Sequence, residues 1–339
     1  MIFLRIILFP LAVLYGWITQ FRNFLFDIGF IKSYTFDMPI IAVGNLSVGG
    51  TGKTPQIEYL IRLLAGQYKI ATLSRGYKRQ SKGFILADKT SSALILGDEP
   101  YQFYQKFPNI QVAVDANRKE GIEQLLSQKN IPEVILLDDA FQHRKVKAGF
   151  YVLLTSYGDL FCDDFILPTG NLRESRTGAV RADVIVVTKC PTMISPSEQE
   201  AIRKKIGSNK PLFFSSIAYD EFVVSGNHSI RVSEIMTTEK VLIAGIAKPK
   251  PFFDFLKNEK DILLQYADHH HFSDSDIADI KKQAGHKMIV TTEKDYMRLA
   301  AHFLVNQLFY LPIKTTILED NANFDKMILN YVGKSTANR

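Results

Sequence analysis

From Pro39 onward, apolar residues come in short unbroken runs separated by amphipathic stretches. The runs are IIAV (40–43), IATLS (70–74), VAVD (112–115), VILLDD (134–139), YVLLTS (151–156) and VIVVTK (184–189). Continuous β-branched runs of this kind mark strands buried on both faces, as in a parallel sheet. Helical patterns lie between them at 54–66, 117–129 and 196–206. Strand and helix therefore alternate, which predicts an α/β fold with a doubly wound parallel sheet over 33–210. Residues 211–235 break the rhythm with short strands and turns, and read as a hinge. A second, smaller α/β unit is expected over 236–339. It has strand runs at 241–247, 262–267 and 288–292, a short helix at 249–257, a helix opened by Ser273-Asp-Ser-Asp276, and a C-terminal helix.

The first 32 residues follow neither pattern. Their longest charge-free run, Ile6 to Gln20, is broken by Pro10 and Gly16. It falls short of the ~20 apolar residues that a bilayer crossing needs. Tyr15, Trp17 and several phenylalanines sit among Arg5, Arg22 and Lys32, a pattern suited to a helix lying in a membrane interface. The competing reading is a helix buried against its own domain. No small-residue cleavage signal follows, which argues against a secretory leader.

Composition adds two constraints. A net charge of +6 suits anionic partners, but the densest basic cluster is only Arg75 to Arg79, which argues against nucleic acid. Cys162 and Cys190 form no metal pattern and no disulfide framework, as expected in a reducing compartment.

The chemistry begins at SVGGTGKTP (47–55), between a strand run and a helical stretch. That context is the one a phosphate-binding loop requires, although Ser47 stands where the usual spacing has its first glycine. Gly49, Gly50 and Gly52, with Thr51 between them, free the backbone to turn its N–H groups towards an anion. The following helix N-terminus adds a favourable dipole. Lys53 can reach β- and γ-phosphates, and the Thr54 hydroxyl can ligate Mg²⁺.

Such a loop needs an acidic partner, and the run VILLDD ends in Asp138-Asp139. Gln142 and His143 follow at the same sheet edge. A second acidic pair, Asp98-Glu99, lies in the turn-like GDEP; turns favour such residues anyway, so this signal is weak by itself. VVTKCP lacks the aspartate that follows Asn-Lys in guanine-reading loops, so ATP is favoured, with Thr188 and Lys189 as candidates near the base. Asp268-His-His-His271 does not read as a zinc site, because side chains alternate along an extended strand. The run reads either as carrying one histidine that handles protons or tunes a neighbour, or as a solvated loop.

In order along the chain, GNLSVGGTGKTP, LSRGYKR, GDEP, DDAFQHR, LPTGNLRE, VIVVTK, DHHHFS and TTEKDYMRL resemble the motifs of the tetraacyldisaccharide 4'-kinase family. They span residues 44–299, and serine at position 47 is that family's own pattern. The resemblance implies transfer of the ATP γ-phosphoryl group, with Mg²⁺, to the 4'-hydroxyl of a tetraacylated glucosamine disaccharide 1-phosphate. It implies work at the cytoplasmic face of a bacterial inner membrane, with no obligate protein partner. It also implies residue roles: Asp98 as base, His269 as its tuning partner, and Lys53, Arg75 and Arg118 near the phosphates. His143 and Asn171 would be polar site residues, and Glu99, Asp138 and Asp139 would surround the metal with Thr54. Two departures stand out. Ala140 replaces a common glycine, and the histidine run offers both His269 and His270 to Asp98. A rival reading is a membrane-associated phosphate-loop ATPase switch acting on a protein partner.

Overall fold

The computed structural model describes residues 2–226, 228–268 and 270–337. Among these, nine strands form one sheet and six form another. In the larger sheet, Ile40–Asn45 is central, flanked by Val134–Asp138 and Phe150–Ser156. Outward from these run Ile70–Ser74 and Gln111–Val114 on one side, Val184–Thr188 and Leu212–Tyr219 on the other. All seven are parallel; the short edge strands Ile85–Leu86 and Ile313–Ile317 are antiparallel. The five inner strands other than Phe150–Ser156 and Gln111–Val114 are buried along most or all of their length, as their unbroken apolar runs predict. Helices Lys53–Leu64 and Asn321–Ala337 cover one face together, where Ile57, Leu60, Phe324, Ile328 and Val332 share a core with Val43 and Leu136.

The smaller sheet has four parallel strands, Lys240–Ala244, Ile262–Gln265, Met288–Thr292 and Leu308–Leu311. A hairpin, Phe222–Ser225 and His228–Arg231, is added antiparallel at one edge. The helix after Ser273 starts with a full capping box: the Ser273 side chain receives the Asp276 N–H, and the Asp276 carboxylate receives the Ser273 N–H.

Two expected boundaries shift. The stretch 211–235 is divided between the sheets: Leu212–Tyr219 is a full strand of the larger one, and the hairpin belongs to the smaller. The C-terminal part of 236–339 returns to the larger sheet, through the pairing of Ile313–Ile317 with Leu212–Tyr219 and the helix that follows. The reason is physical. Periodicity marks a strand, but its partner is chosen by long-range hydrogen bonding and burial. Gly149 shows how closely the C-terminal helix packs, since a Cβ there would lie 2.2 Å from the Tyr331 hydroxyl. That hydroxyl also receives the Ile40 N–H at 3.0 Å.

The N-terminal helix, Ile2–Asp27, is 26 residues long. No helix among the described residues is long and apolar enough to cross a membrane. The helix is fixed by polar contacts on one side. Tyr15 donates to the Arg173 carbonyl at 3.0 Å, Asn23 to Glu174 at 2.8 Å, and Arg144 to the Asn23 carbonyl at 2.7 Å. Its opposite side leaves Phe9, Leu14, Trp17, Ile18, Phe21 and Phe24 more than half exposed, Trp17 at 72%. One side of the helix therefore docks on the domain, and the other presents an apolar strip to its surroundings.

Candidate active site

The loop between Ile40–Asn45 and helix Lys53–Leu64 has the backbone its glycines predict. Gly49 and Gly52 take φ of 106° and 83°, which side-chain-bearing residues rarely adopt. Ser47 is buried and pairs with Leu172, so the first position of the loop is tied to the LPTGNLRE segment. Val48 donates to the Asn171 carbonyl at 2.7 Å, which makes the main chain of Asn171 part of the loop's frame. Thr188 donates to the Thr51 carbonyl at 2.8 Å, and Lys189 to the Gly50 carbonyl. These two residues thus brace the phosphate loop in this structure, where the sequence suggested a place near the nucleotide base.

Beneath the loop, Lys53 Nζ lies 3.5 Å from both Asn45 Oδ1 and Asp139 Oδ1. Arg173 meets both Asp139 oxygens, at 2.9 and 3.0 Å. Burial works to raise the Asp139 carboxyl, but Lys53 and Arg173 outweigh it and hold it below the ordinary aspartate value. Among the described residues no cation pairs with the Asp138 carboxylate, which receives the Ser74 hydroxyl at 3.3 Å. Burial first, and neighbouring Asp139 second, push it up to about 6. The Arg118 guanidinium is buried and donates to the Asp115 and Asp138 carbonyls, at 2.5 and 3.0 Å. It therefore fastens the end of the acidic strand. Burial lowers its pKa to about 10, which leaves it charged at neutral pH.

The second acidic pair opens helix Asp98–Lys106, where the carboxylates complement the dipole. Helix Glu293–Leu299 of the smaller sheet lies alongside. Lys294 pairs with Glu99 at 2.8 Å, and Arg298 pairs with Asp98. Lys294 holds the Glu99 carboxyl below its ordinary value against the opposing effect of burial. The Glu99 charge also adds to the upward push on Asp138.

The far ends of these helices share a buried polar cluster. Gln102 donates to Glu58 and Glu293, both at 2.9 Å, and Lys106 pairs with the same two carboxylates. Burial first, and the Glu58 charge second, raise Glu293 to about 8. The native state thus holds a proton that an ordinary glutamate releases near 4.5, so stability falls as pH rises from that value towards 8. Thermal midpoints measured between pH 5 and 8.5 should show this decline, and Glu293→Gln should flatten it.

The remaining expected residues fall as follows. Arg75 is exposed and lines a basic cavity of ≈ 440 Å³ with Lys78, Arg79 and Lys82. His143 lines a neighbouring cavity of ≈ 370 Å³ with Arg22, Asn117, Arg144 and Lys145, and burial first and Arg118 second lower its pKa to about 4. His143 is therefore a neutral ring beside the site, with a buried Nε2 that has no hydrogen-bond partner. His269 lies outside the described residues. His270 stacks on Tyr266 and bonds to Asp276 at 3.0 Å, a contact within its own unit. Arg173, Lys294 and Arg298 are missing from the expected set. The signal for them was the basic residues within LPTGNLRE and TTEKDYMRL.

No group of three His, Cys, Asp or Glu side chains among the described residues forms a metal cage. The donors present still fit Mg²⁺, which takes one or two carboxylates and completes its shell with phosphate oxygens and water. Asp138 Oδ1 is buried without a hydrogen-bond partner, at the end of the strand beside the phosphate loop. Asp139 and Glu99 are instead engaged with Lys53, Arg173 and Lys294.

Comparison with known proteins places the chain in a family. A family model described as tetraacyldisaccharide-1-P 4'-kinase matches residues 4–333. The tetraacyldisaccharide 4'-kinase of Flavobacterium johnsoniae is 63% identical over 97% of each chain. That of Bacteroides thetaiotaomicron is 46% identical over 98% of this chain and 94% of its own. Among solved structures, LpxK from Aquifex aeolicus in complex with ATP superposes with a TM-score of 0.81 at 32% identity, covering 97% of this chain and 99% of that one.

Proposed function

The chain belongs to the tetraacyldisaccharide-1-P 4'-kinase family, and from that premise we propose how its residues carry out ATP-dependent phosphorylation of a lipid A precursor. The acceptor is the 4'-hydroxyl of a tetraacylated disaccharide 1-phosphate. One observation carries the division of labour: Lys53 lies 3.5 Å from Asp139 at the end of the strand beside the phosphate loop, and the Glu99 charge reaches Asp138 from the start of the other helix. Phosphoryl transfer needs alignment and charge neutralisation more than covalent help. The loop N–H groups from Gly49 to Thr54 cradle the ATP phosphates, and Lys53 follows the charge that develops on the γ-phosphoryl group. Thr54 and Asp138 would hold Mg²⁺, which supplies further charge neutralisation. Asp98 accepts the proton of the attacking hydroxyl, a weak nucleophile that a placed carboxylate helps. Asp139 keeps Lys53 and Arg173 in register. Arg75 and the basic cavities beside it provide a surface suited to an anionic acceptor. The test is whether ATP turnover depends on the disaccharide acceptor.

The exposed apolar strip of the N-terminal helix fits an acceptor whose acyl chains stay in a bilayer. Contacts on the helix's other side, with Arg173 and Glu174, tie it to the segment that frames the phosphate loop. Docking at the cytoplasmic face would keep ATP and acceptor within reach together. Trp17→Ser combined with Phe21→Ser is expected to weaken binding to anionic liposomes by at least about tenfold, since burying each large side chain is worth ~1.5–3 kcal/mol. Flotation assays measure this, and unchanged flotation would confine the helix to a role in the fold.

A further inference from the structure

We propose that Arg298 is a positioning residue for the phosphoryl transfer, reaching from the smaller sheet to hold the Asp98 carboxylate in its working orientation. The proposal rests on the reading of Asp98 as base. Its structural ground is the set of groups that Arg298 meets. Helix Glu293–Leu299 starts at Thr292, whose side chain receives the Asp295 N–H at 3.3 Å. The Asp295 carboxylate is fully buried, and receives the Gly245 N–H at 2.8 Å and the Thr292 hydroxyl at 2.7 Å. Asp295 is thus fixed to the smaller sheet at two points. Arg298 leans on it, with Nη1 3.5 Å from Asp295 Oδ1, and Nη1 also donates to the His270 carbonyl at 3.3 Å. Its other terminal nitrogen meets Asp98.

The guanidinium therefore links three parts: a rigid carboxylate of one unit, the backbone of the histidine turn, and the carboxylate that opens helix Asp98–Lys106 of the other. It is mostly buried, with 14% of its side chain exposed. A planar, permanently charged fork held at several points can fix the direction of a carboxylate, which a mobile ammonium does less well. Lys294 on the same helix does the parallel task for Glu99. The arrangement differs from a surface ion pair, which would hold no orientation and contribute little. Charged groups near Asp98 include Arg298, which pairs with it, and the Glu99–Lys294 pair beside it in sequence.

The test uses the full-length protein, with steady-state kinetics at saturating ATP and detergent-dispersed acceptor. Arg298→Met should lower kcat about a hundredfold, the scale of a misaligned reacting group. The KM for ATP should stay within about twofold, because the loop and Lys53 are untouched. Arg298→Lys should recover kcat to within about tenfold of the parent, since the charge returns without the fork. With Asp98→Asn already present, adding Arg298→Met should cost nothing more, because the two act as a unit. An unchanged kcat in Arg298→Met, beside a disabled Asp98→Asn, overturns the positioning role and leaves the base in place. An active Asp98→Asn removes the base reading itself. Equal losses in the Met and Lys variants, with a lowered thermal midpoint in both, would make Arg298 a structural pin and overturn the proposal.

Discussion

Asp98→Ala is expected to lower kcat by a factor of about 10²–10⁴ while ATP affinity stays within about twofold. Asp98 opens helix Asp98–Lys106 and pairs with Arg298. The phosphate loop is braced from elsewhere, by Thr188, Lys189 and the Asn171 main chain. Removing the Asp98 carboxylate should therefore leave the ATP cradle standing and remove the proton acceptor used only as the hydroxyl attacks. Nucleotide binding by fluorescence or calorimetry, next to acceptor-dependent turnover, separates the two effects. If affinity for ATP and Mg²⁺ falls as far as turnover, Asp98 belongs to the metal shell.

Lys53→Ala should be equally damaging for a different reason. Preorganised charge aimed at the transferring group is worth ~2.7–4 kcal/mol where single donors have been removed, or about 10²–10³ in rate. Lys53 starts the helix after the phosphate loop and is held by Asn45 and Asp139 beneath it. Asp139 keeps its two contacts with Arg173 in the variant, so the acidic strand end should hold its shape. An unchanged thermal midpoint would show this, and ATP affinity should fall along with turnover. Retained activity would mean that the loop does not cradle the transferring phosphates.

Local signals served well where the chemistry is local. The unbroken run before SVGGTGKTP is the central strand, and Gly49 and Gly52 have the backbone that an anion-cradling loop needs. The run ending in Asp138 is its neighbour in the sheet, because β-branched residues filling both faces admit little other than an interior parallel strand. What escaped the sequence depends on distance. Leu212–Tyr219 reads as part of a hinge because nothing in its residues names its partner Ile313–Ile317, about a hundred positions later. The resemblance implies a place near the phosphates for Arg118, yet its side chain holds the backbone around Asp115 and Asp138, a use that depends on its burial. The pairing of Arg298 with Asp98 spans 200 positions, and is created by two helices from different sheets meeting side by side. The TTEKDYMRL motif announced that something was there; only the fold shows which carboxylate it serves.

The central claim is that this site transfers phosphate to a lipid hydroxyl. The most direct measurement mixes the purified full-length protein with γ-labelled ATP, Mg²⁺ and detergent-dispersed tetraacyldisaccharide 1-phosphate, then separates lipid from free phosphate. Label is expected on the lipid at the 4'-position, and is lost with Asp98→Ala. Label released only as free phosphate, with or without the lipid, would contradict it and point to an ATPase switch.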